Sequence, residues 1–303
     1  MWLILALISA ILLGFYDVFK KISLKTNAVI PVLCLNTLFS SILLLPFFFL
    51  SNEGIIPSYS ILYTEPFILE EQLYYVLKAV IVMSSWICGY LGIKHLPITI
   101  VGPINATRPV MVLIGALTLL GEHLNLWQWV GITIAVISFV LLSQSGKKEG
   151  IDFKRNKWII CVILANVFGA IAGLYDRWLL SPDGKDCDQV SVQLWNNVWQ
   201  WVMLSVIYLI QRYRNRRYTR QPLDWKWSIL MISICLTIAD FAYFWALSHA
   251  EAMISIVSMI RRSSVVVSFI FGAMIFQEKN LKSKIFDLLL VLLSMLFLYF
   301  GSK

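Results

Sequence analysis

"GFYDVFKK" runs from Gly14 to Lys21, and "GLYDRW" runs from Gly173 to Trp178. Both set a glycine, an apolar residue, Tyr and Asp at the end of a long apolar run, 159 residues apart. Working outward from this pair, other landmarks recur in the same order. His95 in "KHLP" is matched by His249 in "SHAE". Arg108 lies thirteen residues after His95, and Arg262 thirteen after His249. Glu122 in "LGEHL" and Glu278 in "FQEKN" each close an apolar run. Ordered recurrence over half a chain is the mark of an internal duplication.

The composition says what surrounds the two copies. The 303 residues are 59% hydrophobic and 14% charged, whereas a soluble domain carries about 25% charged residues. Most of the surface must therefore meet lipid. Eighteen Phe, twelve Trp and twelve Tyr fit a bilayer and its interfaces. The net charge of +8 comes from Lys and Arg in short segments between apolar runs. That placement follows the positive-inside rule and argues against a nucleic-acid partner. Cys34, Cys88, Cys161, Cys187 and Cys235 show no ligand spacing and read as small hydrophobes, so no metal and no cofactor is expected. The chain has neither a phosphate-binding Gly-rich loop nor an HExxH pair, so nothing supports ATP hydrolysis or zinc hydrolase chemistry. Residues 1–19 lack a basic leader and a cleavage site, and read as a first retained span.

A helix crosses the hydrocarbon in about 20 apolar residues. Ten segments qualify: 2–21, 29–50, 73–93, 96–119, 126–144, 157–179, 190–211, 226–247, 251–275 and 284–300. The polar stretch "SGKKEGIDFKRNK", 145–157, divides them into two groups of five. The expected fold is an all-α membrane protein with ten transmembrane helices in two inverted five-helix repeats. The expected domains are 1–145 and 157–303, joined by a linker at 146–156. An odd number of spans inverts the second copy, and the loop charges agree. The gap after the second span carries Glu53, Glu65, Glu70 and Glu71, while its counterpart after the seventh carries five Arg and Lys226 against Asp224. The odd gaps then face the cytoplasm and both termini lie outside. Inverted repeats recur in secondary transporters, where one sequence pattern adopts two packings open to opposite sides.

The chain resembles the drug/metabolite transporter superfamily, and within it the EamA-type ten-helix branch. The resemblance rests on the five-plus-five organisation and the short link between the third and fourth spans. It also rests on "PINATRPVMVLIGAL" leading into "LGEHL" at 120–124, and on "LWQWVGITIAVISFVLL" at 126–142. The second copy departs at Gln277, which stands where a Gly precedes Glu in the first. The resemblance implies a secondary carrier with a central cavity between the halves. It does not imply one cargo. The expected partners are a small-molecule substrate and the lipid bilayer, with protons as a coupling ion or none. The expected location is the cytoplasmic membrane of a bacterium, as a monomer or homodimer. A membrane enzyme, a channel or a scaffold is the competing class, against which the scattered polar residues argue.

Polar groups inside apolar runs name the candidate site. Arg108 sits within the fourth span between Pro103 and Pro109. A charge at bilayer depth costs about 2.5–3.5 kcal/mol and faces a wet cavity or a partner. Arg262 is its repeat mate, and two planar donor forks suit an anionic or zwitterionic substrate. Adjacent Arg261 points about 100° away, so one of the two is expected to pair with Glu251 or Asp240. Asp240 lies mid-span and must be paired, protonated or wet. Asn105, Trp86, Tyr90 and Tyr243 are the further candidates for substrate contact. Asp17 and Asp176, with Tyr16 and Tyr175, are either gate elements or acids neutralised by the nearby Lys20, Lys21 or Arg177. His95 and His249 sit at turns, where they are interfacial residues or titrating gate elements.

Overall fold

The computed structural model describes residues 2–108, 110–111, 125–147, 153, 155–180, 185, 187–214, 223–248, 260–277 and 281–301. The regular elements among these residues are all α-helical. In chain order they are α1 (Trp2–Leu24), α2 (Val29–Asn52), α3 (Leu69–His95), α4 (Ile98–Ala106) and α5 (Leu126–Lys147). They continue as α6 (Lys157–Leu180), α7 (Gln189–Arg214), α8 (Trp227–Ser248), α9 (Ser264–Phe276) and α10 (Leu281–Gly301). Five of them hold stretches long and apolar enough to cross a membrane: α2, α3, α6, Trp227–Ala246 of α8 and Lys284–Gly301 of α10. The protein is thus a multi-pass helical membrane protein. Expected features at Glu122, His249, Glu251 and Glu278 lie outside the described residues.

The helices sort their faces as lipid and close packing demand. On α1, Ile4, Leu7 and Ile11 point outward, while Ala6, Ser9 and Ala10 are buried. The small face meets Ala239, Ala242 and Ala246 of α8, also buried. Small residues let membrane helices approach closely where no hydrophobic effect drives them together. Ser9 Oγ donates to the Ala239 carbonyl at 2.7 Å across this seam. The same device joins α3 to α6, where Ser85 Oγ donates to the Ala165 carbonyl at 2.7 Å. The most extensive contacts pair α1 with α8, α10 with α5, α3 with α6 and α2 with α7.

Helix α4 occupies the middle. Eight of its nine residues are buried, and it packs against α9, α10 and α6. Its only polar side chains are Thr99 and Asn105, which suits a helix packed on most sides by other helices. Gly102 lies against Val265, and Gly272 of α9 lies against Ile98, leaving no room for a Cβ at either glycine. The largest apolar cluster joins both halves of the chain, with Tyr16, Leu33, Tyr90, Ile100, Ile104, Val162 and Ile232 among its members.

Candidate functional site

Helix α4 ends in a tight turn. Thr107 N–H and Oγ1–H both donate to the Ile104 carbonyl, at 3.1 and 2.7 Å. The turn delivers Arg108, whose Nε donates to Asn166 Oδ1 at 3.1 Å. Asn166, on α6, is fully buried. Its amide nitrogen contacts the Ile104 carbonyl, Asn105 Oδ1 and the Val162 carbonyl at 3.0–3.3 Å. One asparagine thereby ties the end of α4 to the second half and orients the arginine. The Arg108 guanidinium lies on Gly169, one turn further along α6, so a Cβ there would overlap it.

Arg108 opens onto a partly open cavity of about 240 Å³. Its walls come from α1, α3, α4, α6, α7 and α8 and from residues 261–265. This volume lies below the roughly 300–1,000 Å³ of pockets for drug-sized ligands. Five cations line it, Lys20, Lys78, Arg108, Arg261 and Arg262, with three acids, Asp17, Asp176 and Asp240.

Each acid is taken by one cation. Lys20 pairs with Asp17 at 2.6 Å, Lys78 with Asp176 at 2.6 Å, and Arg261 with Asp240. Each of these cations also rests on aromatic rings. Lys20 Nζ lies 4.3 Å from the Tyr16 ring centre and 4.9 Å from that of Tyr90. Lys78 lies over Phe244 at 5.6 Å and Arg261 over Tyr243 at 4.0 Å. Ring faces attract cations electrostatically. Arg108 and Arg262 have no carboxylate partner among the described residues. Arg262 and Arg261 are the charges that most oppose that of Arg108.

The sequence candidates divide accordingly. Arg108, Asn105, Arg262, Asp240, Tyr243, Trp86, Tyr90, Asp17, Asp176, Tyr16 and Arg261 all line this cavity. Of the two pairings expected for an arginine of the ninth span, Arg261 with Asp240 is the one observed. Tyr16 Oη donates to Tyr90 Oη at 3.2 Å, and Tyr175 instead donates to the Tyr74 carbonyl at 3.3 Å, off the cavity wall. His95 stands exposed at the end of α3, stacked on Trp158 with ring centres 3.6 Å apart. The expected neighbours of Asp176 in sequence do not include its partner, Lys78, which lies on the adjacent helix α3. Sequence reasoning missed Lys78, although a lysine within an apolar run is the same signal that singled out Arg108. It also missed Gly169 and Gln193, whose roles arise only from packing. Gln193 is buried, lines the cavity, and leaves its Oε1 without a partner among the described residues.

The profile described as "EamA-like transporter family" matches residues 1–144 and, separately, 156–300. No curated protein matches the sequence. A solved structure, described only as "Crystal structure of protein", is 12% identical and superposes with a TM-score of 0.62, covering 97% of this chain and 94% of that one. At that identity the likeness is one of fold.

Proposed function

This chain belongs to the EamA-like transporter family, and on that premise we propose that it is a secondary carrier moving a small anionic or zwitterionic metabolite across the cytoplasmic membrane by alternating access. One observation carries the reading. Two arginines, Arg108 from the first half and Arg262 from the second, face one cavity, and neither has an ion-pair partner among the described residues. An uncompensated buried charge is costly. A cargo oxyanion would complete both donor forks.

The ten helices act as two inverted five-helix repeats, 1–145 and 157–303. Helix packing supports this arrangement. Exchanging each helix with the one five later turns the α1–α8 contact into α6–α3, and leaves α2–α7 and α5–α10 in place. The two serine–carbonyl bonds fall at corresponding places with donor and acceptor reversed: position 85 donates in one and position 239 accepts in the other, the 154-residue spacing that separates His95 from His249. Two near-equal packings of one pattern are what alternating access requires. The cargo must bind the two states unequally along the cycle, since equal affinity shifts nothing.

Transport follows either proton movement or the cargo gradient alone. In the coupled form, Asp240 takes the proton when its bond to Arg261 opens. The test is uptake into sealed proteoliposomes of a panel of organic anions and amino acids, with and without an imposed pH gradient. Saturable flux that falls at least tenfold in Arg108→Ala, in a variant that keeps its thermal transition, is the expected result. Stimulation by the gradient assigns coupling, and indifference to it assigns facilitation. Chemical conversion of a panel member, or no flux across the panel, overturns the carrier reading.

A further inference from the structure

The cavity's charges also discriminate between the two cargo classes. A zwitterion brings an ammonium as well as an anion. The ammonium would need a carboxylate, and all three in the cavity are occupied: Asp17 by Lys20, Asp176 by Lys78 and Asp240 by Arg261. Two of those pairs are at 2.6 Å, and all three cations are further held by aromatic faces. Freeing one carboxylate for the cargo would strand a buried lysine or arginine, and breaking a buried pair is strongly unfavourable. The remaining polar wall is uncharged: Gln193, Asn196 and Asn197 offer amide dipoles but no net charge to offset an ammonium. Among the described residues, five cations against three acids leave a surplus of two positive charges, which falls on the two arginines without an ion-pair partner, Arg108 and Arg262.

Resting on the carrier reading, we infer that the cargo is a small organic dianion (a dicarboxylate or a phosphate monoester) that spans Arg108 and Arg262, and that zwitterions are excluded. Arg108 is built for this. Its Nε is committed to Asn166, which fixes the plane of the guanidinium and leaves the two terminal nitrogens, against Gly169, as the donors for a ligand. Gly169 supplies the clearance that lets the guanidinium lie flush with the wall. The cavity volume of about 240 Å³ accommodates one such small ligand.

The experiment is quenching of tryptophan fluorescence in the detergent-purified protein, since Trp86 lines the cavity. Succinate and glycerol phosphate are the dianion probes, alanine the zwitterion and choline the cation. At least one dianion is expected to bind ten times more tightly than alanine or choline, and the better of the two identifies carboxylate or phosphate. Arg108→Gln and Arg262→Gln should each weaken that probe at least tenfold. Lys78→Met should release the Asp176 carboxylate and shift the preference toward alanine, an inversion that a purely structural lysine would not produce. Where that variant loses its thermal transition, Arg262→Lys serves instead: it keeps the charge but loses the fork, so dianion binding should weaken less than in Arg262→Gln while the preference over alanine is retained. Alanine binding as tightly as the better dianion, and still lost in Arg108→Gln, overturns the inference and leaves the carrier reading intact. Failure of both dianions, with saturable alanine flux in proteoliposomes, has the same meaning. Failure of every probe, together with absent flux, overturns both.

Discussion

At the scale of single residues, the glycines separate binding from stability. A methyl group at Gly169 would meet only the far end of the Arg108 side chain. That end can swing away, and alanine favours a helix over glycine by about 1 kcal/mol. Gly169→Ala should therefore lower dianion affinity about tenfold while leaving the melting temperature unchanged or higher. Gly272→Ala is the contrast. Its methyl would strike Ile98, which is itself buried and cannot yield. Overpacking of this kind costs about 1–3 kcal/mol, so the variant should melt earlier, and whatever fraction remains folded should bind normally. Paired thermal melts and fluorescence titrations check both, and equal losses of binding in the two would refute the distinction.

Among the elements, α4 and the start of α7 show how caps and breaks place function. Helix α4 ends at Ala106 with a turn at Thr107, and Arg108 follows directly, with its Nε on Asn166. At the head of α7, Asp188 accepts the Ser191 N–H at 2.9 Å, and Ser191 Oγ accepts from Glu65 N–H at 2.8 Å. This chain of bonds fastens the acidic loop between α2 and α3 to the second half. Burial pushes the Asp188 carboxyl above the usual aspartate value, against the pull of its bonds to Ser191 and neighbouring backbone. A raised folded-state value means that the folded protein holds this proton more tightly than the unfolded chain. Its ionisation therefore costs stability as pH rises above about 4. Asn caps as well as Asp and carries no charge. Asp188→Asn should match or exceed the wild-type melting temperature at pH 7, and the difference should shrink as pH falls toward 4. A lower melting temperature at pH 7 would contradict this account.

For the whole molecule, the decisive property is which ends share an aqueous side. Single cysteines replacing Arg155, Arg214 and Tyr59, all exposed, report three loops. With ten crossings and inverted repeats, a membrane-impermeant maleimide should reach Arg155→Cys and Arg214→Cys from one side, and Tyr59→Cys from the other. Labelling of the first two from opposite sides would remove the even helix count between them and the alternating-access argument with it. The two positively charged regions serve different purposes at this scale. Arg and Lys in the loops are placed to orient the chain in the bilayer, whereas Arg108 and Arg262 line the cavity without an ion-pair partner among the described residues.

Helical class, membrane environment and family were legible in the chain alone, because hydrocarbon thickness sets a run length that apolar residues must fill. The duplicated order of Tyr–Asp, His and Arg marked the halves, and the penalty on charge at bilayer depth picked out Arg108, Arg262 and Asp240. Local partnership was legible: Asp17 takes Lys20, one turn away, and Asp240 takes Arg261, both among the expected pairs. Distant partnership was not: Lys78 and Asp176 are 98 residues apart yet in contact, and Gly169 matters only through the guanidinium it leaves room for. Which acids are already occupied, and hence which charges remain for a ligand, depends on distances between helices, and those exist only once the helices have packed.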